Sequence, residues 1–194
     1  MQKLGRDDLF PLEKYAEMRK DFRARVMQHK QARRLPIGPN ATLYFEDRLT
    51  IQYQVQEMLR VEKIFEPAGI AEELEAYNPL IPDGSNWKAT FMVEFEEAEE
   101  RRRQLSRLLG IEDCVWLRVN GNDPVAPICD EDLERETESK TSSVHFMRFE
   151  LSADDVRALR QGAQLQAGIS HEHYHYTVNP VPAAVRDSLL NDLD

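Results

Sequence analysis

The spacing of apolar residues changes once along this chain, near residue 80, and that change limits the fold more than any single motif does. Upstream, Tyr15, Met18, Phe22 and Val26 recur at helical intervals and predict one amphipathic helix from about Leu12 to Arg34. Leu35-Pro-Ile-Gly-Pro39 reads as a stiff linker, and Ala41 to Glu46 as a short strand. Asp47 can cap a second helix, Arg48 to about Phe65, whose apolar residues spread around most of its circumference, as expected of a buried helix. A third, Pro67 to Tyr77, runs into a loop rich in turn formers.

Downstream, strand patterns dominate. Trp87 to Phe95 is the first, followed by a helix with acids at its start and bases towards its end, from Glu96 to Arg107. Asn120-Gly-Asn-Asp123 predicts a hairpin between Cys114-Val-Trp-Leu-Arg-Val119 and Pro124-Val-Ala-Pro-Ile-Cys129. Ser143 to Leu151 and Leu165 to Val178 read as further strands, separated by a helix that Ser152-Ala-Asp-Asp155 caps and Gly162 stops. Ala183 to Leu193 forms a last amphipathic helix. The expectation is one α+β domain over 1–194. Residues 1–79 would be mainly helical and 80–194 mainly β, with an antiparallel sheet of about five or six strands in the C-terminal part packed with helices mainly from the N-terminal part.

The chain has 194 residues, 41% hydrophobic and 31% charged, with a formal net charge of -10. This is a globular composition, and its acidity argues against nucleic-acid binding, which needs clustered Lys and Arg. No stretch has the apolar length to span a bilayer, and nothing near Met1 resembles a signal peptide, so no membrane and a cytoplasmic location are expected. The basic block from Arg19 to Arg34 could grip an acidic partner, although such a run is usually a solvated helix face.

Three features could carry chemistry. His171, His173 and His175 alternate, so on an unbroken strand they share one face and could ligate zinc or non-haem iron, with Glu150 supplying a carboxylate. The outer two would lie about 13 Å apart, so one ion could take only an adjacent pair. Cys114 and Cys129 would face each other across the hairpin as a thiol pair, or as two reduced, half-buried thiols. Gln52, Gln56 and Arg60, with Gln54 and Glu57 beside them, form a polar stripe on the buried second helix. With Glu46 they would line a pocket or form a satisfied network. There is no Gly-rich phosphate loop, Gly-x-Ser-x-Gly or His-Glu-x-x-His, so no nucleotide cofactor is expected.

Phe45-Glu-Asp-Arg-Leu-Thr50, Tyr53-Gln-Val-Gln-Glu-Met-Leu-Arg60, Glu75-Ala-Tyr-Asn-Pro-Leu-Ile-Pro-Asp-Gly84 and Lys140-Thr-Ser-Ser-Val-His-Phe-Met-Arg-Phe-Glu150 together resemble the bacterial domain-of-unknown-function family numbered 3501. The resemblance spans nearly the whole chain and implies no established activity. Family genes often lie beside those for rubrerythrin and an iron-sulfur oxidoreductase, which implies a link to redox or oxidative-stress metabolism by association alone. It directs attention to Glu46, Arg48, Gln54, Gln56, Glu57, Arg60, Asn78, Asp83, His145, Arg148 and Glu150, without roles. The resulting expectation is a non-catalytic accessory or interaction protein of a redox system. The alternative is a metal-binding enzyme or sensor with a two-histidine site.

Overall fold

The structure, a computed structural model, describes every residue except Met1, Glu134, Glu136 and Glu138. Helix α1 (Leu12–Gln31) buries Tyr15, Phe22 and Val26 at the spacing its sequence announces. Leu35 and Ile37, expected in a linker, instead belong to strand β1 (Arg34–Ile37), which pairs antiparallel with β2 (Ala41–Glu46). Pro36 is tolerated there because β1 is the edge of its sheet, where a missing N–H breaks no ladder. Gly38 turns the chain between the two with φ of 76°, and a Cβ at this position would fall 2.6 Å from the Tyr176 ring.

Asp47 caps α2 (Arg48–Val61). Its carboxylate accepts from the Thr50 N–H, and the Thr50 hydroxyl accepts from the Asp47 N–H, both at 2.9 Å. The helix ends earlier than its apolar run suggests, since Lys63 adopts a left-handed conformation with φ of 55°. Helix α3 (Pro67–Tyr77) starts on a proline, whose absent N–H costs a first turn nothing.

The remaining elements are β3 (Asn86–Val93), α4 (Ala98–Arg107), β4 (Val115–Val119), β5 (Ile128–Cys129), β6 (Val144–Glu150), α5 (Ala153–Arg160), β7 (Leu165–His171), β8 (Tyr174–Val178) and α6 (Ala183–Leu190). They complete an α+β fold with two antiparallel sheets among the described residues, in the orders β1-β2-β3-β6-β5 and β4-β7-β8. The five-stranded sheet thus draws two strands from the first part of the chain. Trp87, Phe91, Met147 and Phe149 on one face of it form the main core with Leu117, Ile169 and other residues of the second sheet. Helix α2 lies against the opposite face, where Thr90 of β3 and Thr50 and Gln54 of α2 meet at the Glu46 carboxylate. Among the described residues no helix is long and apolar enough to cross a membrane.

Two strand expectations need correction. The hairpin around Asn120 to Asp123 begins as predicted, with Leu117 and Val125 exchanging hydrogen bonds of 3.0 and 2.7 Å. It does not continue. Pro124 and Pro127 cannot donate to a ladder, so the second arm leaves and joins the other sheet, pairing Cys129 with Met147. The single strand expected from Leu165 to Val178 is a hairpin, β7 to β8, turning at Glu172 and His173.

One buried cation joins the first and last elements. Arg33, 2% exposed, donates from Nε to the Phe45 carbonyl and from a terminal nitrogen to the Glu46 carbonyl, each at 3.0 Å. It also pairs with Asp192, lies 3.4 Å from Asp47 and reaches the Ser188 hydroxyl at 3.3 Å. Removing the cation leaves Asp192 buried without its partner. Replacing it, Arg33→Met, is expected to cost about 3–5 kcal/mol of stability in urea unfolding, and a loss below ~1 kcal/mol would refute its clamping role.

Candidate functional site

Alternation along the ladder places Lys88 of β3 directly opposite Arg148 of β6, on the face turned away from the main core. Phe146 of β6 shares that face. Glu73, Ala76 and Tyr77 of α3, followed by Pro79 and Leu80, supply a second wall, and Glu131 and Asp132 beyond β5 a third. Together these residues enclose a groove of about 550 Å³, mostly apolar in its lining. That volume suits a small organic ligand.

Like charges opposite each other on a ladder repel, so both cations need relief. Arg148 receives it. Its Nε and one terminal nitrogen grip the two Glu131 oxygens at 2.8 and 2.7 Å, and its other terminal nitrogen pairs with Glu150. The Glu131 hydrogen bond raises the guanidinium's pKa above its ordinary range and lowers that of the Glu131 carboxyl. Lys88 receives none: among the described residues no hydrogen bond or ion pair engages its amine. Burial, and then the Arg148 charge, lower its pKa. Burial followed by the Glu73 charge pushes the Tyr77 phenol up, so it keeps its proton at neutral pH.

The segment carrying Glu131 is fastened from behind. Buried His145 projects from the core face of β6, with Nδ1 2.6 Å from Asp130 and Nε2 2.9 Å from the Thr141 hydroxyl and 3.2 Å from the Ser142 carbonyl. Asp130 takes a left-handed conformation (φ 48°), stabilised by the Phe146 N–H at 2.8 Å and Arg135 at 3.0 Å. Arg135 also lies over the Phe146 ring, 4.5 Å from its centre. His145 therefore positions one wall of the groove rather than facing it.

The polar stripe of α2 does not line this groove. Glu46 accepts from Thr50 at 2.5 Å, Thr90 at 2.9 Å and Gln54 at 3.2 Å. Gln56 exchanges two hydrogen bonds with the Phe10 backbone, and Gln52 donates to the Asp8 carbonyl at 2.6 Å. Glu57 accepts from the Tyr15 hydroxyl and from two Arg19 nitrogens, all at 2.7 Å, with Arg60 at 3.5 Å. These residues stitch α2 to α1 and the N-terminal segment, where Asn78 likewise exchanges hydrogen bonds with the Leu4 backbone and Arg48 pairs with Asp8. Asp83 bonds within its own turn to Ser85.

The hairpin turn sets His175 apart from the other two, whose ring centres lie 5.8 Å from each other. His171, 7% exposed, lies with Nε2 3.0 Å from the Leu109 carbonyl, which can only accept, while its Nδ1 accepts from the His173 N–H at 3.1 Å. That tautomer leaves no lone pair for a metal. His173 sits in the turn, His175 is exposed on β8 opposite Ser170, and Glu150 lies in the other sheet, bonded to Asn86 and Arg148. Among the described residues no group of three or more His, Cys, Asp or Glu side chains gathers where a metal could be held. Cys114 and Cys129 are free thiols, the first ending the turn just before β4 and the second on β5, where its Sγ lies 3.6 Å from the Glu112 carbonyl of that turn. Burial, then Asp113, push Cys129 up to about 12, and Cys114 rises for the same reasons. Neither thiol is an activated nucleophile.

Sequence reasoning did not single out Lys88, Tyr77, Phe146 or Glu131. A signal was present for part of the groove, because two stretches carrying the family resemblance contain Tyr77, Pro79, Leu80, Phe146 and Arg148.

The family described as "Protein of unknown function (DUF3501)" matches residues 3–193. No curated protein matches the chain. A crystal structure of a novel protein of unknown function from Burkholderia pseudomallei K96243 is similar over 100% of both chains, at 50% sequence identity and a TM-score of 0.95.

The Glu57 junction predicts an acid sensitivity. The Arg19 hydrogen bond first, and then Tyr15, outweigh burial and hold this carboxyl at about 2 instead of 4.5. Its contribution to stability is present above the ordinary value and is lost as pH falls from about 4.5 towards about 2. In acid unfolding curves Glu57→Gln is expected to lower stability at neutral pH and flatten that limb, and an unchanged limb would contradict the assignment.

Proposed function

The chain belongs to the DUF3501 family, and from that premise we propose that it is a binding protein whose groove holds a small ligand with an apolar body and one polar group facing Lys88. The observation that carries this reading is the half-buried Lys88 amine, without a partner among the described residues, on an apolar groove of about 550 Å³. Leaving such a group without a partner costs free energy, and a ligand that supplies one recovers it. The opposed Arg148 charge adds to that cost, while the Glu131 fork keeps Arg148 itself occupied.

Such a protein performs its role by holding a molecule. This agrees with the accessory role in redox metabolism that the family resemblance implies, beside a rubrerythrin or an iron-sulfur oxidoreductase. The raised thiols of Cys114 and Cys129 support a role that does not run through thiolate chemistry.

Nile red, a neutral apolar dye, tests the groove. The unaltered chain is expected to bind it saturably, and Ala76→Trp to weaken binding by about tenfold or more, because an indole in the groove takes up the apolar contact. Ala76 is exposed, so the thermal midpoint should stay unchanged. Non-saturable binding, or binding indifferent to this substitution, would sink the proposal.

A further inference from the structure

The groove combines two conditions that turn a lysine from a charge into a nucleophile. It removes the Lys88 side chain from much of its water, and it sets a second cation, Arg148, directly across the ladder. Both oppose protonation, and both effects lower the amine's pKa here. The Glu131 and Asp83 charges act the other way but are outweighed, and the Lys3 charge adds to the lowering. Among the described residues no carboxylate pairs with the amine directly, since Glu46, the register neighbour on β2, is taken by Thr50, Gln54 and Thr90, and Glu131 by Arg148. We propose that Lys88 captures an aldehyde or ketone with an apolar body as an imine in this groove, an inference that rests on the groove being a ligand site.

The step balances without an oxidant or reductant. The lone pair of the neutral amine forms the C–N bond at the carbonyl carbon, and the C=O π pair moves to oxygen, which takes a proton. The carbinolamine then loses its hydroxyl, protonated, as water. Nitrogen gives up its remaining proton as the C=N bond forms, so one amine and one carbonyl become one imine and one water. Tyr77, which keeps its proton, and the Glu73 carboxylate line the same groove, so a hydroxyl donor and a carboxylate acceptor are at hand for these transfers.

Benzaldehyde with sodium cyanoborohydride at neutral pH, applied to the full chain and read by peptide mass spectrometry, tests this. The expected result is a benzyl label on Lys88 several-fold above that on exposed Lys20 and Lys63. Nile red and the Ala76→Trp change should both suppress that label, and Lys88→Arg should abolish it. If K88R does not fold, dye protection of Lys88 in the unaltered chain decides the same point. Labelling spread evenly over the lysines, or a Lys88 label indifferent to both dye and Ala76→Trp, overturns the proposal. Even labelling with dye still bound removes the covalent step and leaves the groove standing; even labelling without dye binding removes both.

Discussion

The Arg33 guanidinium is the interaction on which the rest of the structure depends. It sits where α1 hands over to β1, yet its hydrogen bonds go to the end of β2, and its ion pairs to the cap of α2 and to Asp192 beyond α6. A buried cation is costly unless its donors are met, and here backbone carbonyls and two carboxylates meet them. Burial, opposed by Arg33, pushes the Asp192 carboxyl up to about 6. Asp47 experiences burial too, but the Arg33 charge, the Thr50 N–H and His29 outweigh it and its carboxyl falls below the usual range. The two acids share one cation unequally because Asp47 has donors of its own.

Fixing that corner fixes both faces of the five-stranded sheet. One face closes on the second sheet through Trp87, Phe91 and Phe149, with Leu105 of α4, Leu159 of α5 and Leu189 of α6 in the same core; the other receives α2. A strand covered on both sides has no solvent face on which to hide a lysine, and Lys88 lies on such a strand. The groove exists because α3 stands off the sheet beside it and the segment after β5, fastened through Asp130 and His145, closes the third side. The chain belongs to the DUF3501 family, and the similar Burkholderia pseudomallei structure shares the whole fold.

Much of this was legible in the residues, for reasons that can be named. Helical spacing located α1, the Asp47 and Ser152 caps located α2 and α5, and alternation located β3 and β6. These signals are local, so they survive without tertiary context. The three histidines share a face only on an unbroken strand, and the strand turns: Glu172 and His173 carry no strong turn chemistry, and the hairpin is imposed by pairing Ser170 with His175 and Ile169 with Tyr176. Cys114 and Cys129 are not partners on one ladder, because the prolines of the second arm cannot donate to the hairpin and Cys129 pairs with Met147 instead. The polar stripe was visible, but its partners, Phe10, Asp8 and Arg19, lie about 40 residues away, beyond any periodicity.

The sequence by itself determined the α+β class, the places where helices and strands begin, and the presence of polar groups on a buried helix, because each follows from spacing and capping within a few residues. Only the tertiary structure decided which strands share a sheet, that His171 spends both nitrogens on backbone, and that Lys88 meets Arg148 while its amine has no partner among the described residues. Those outcomes depend on which distant backbone and side-chain groups arrive within hydrogen-bonding distance, and no local pattern encodes that arrival.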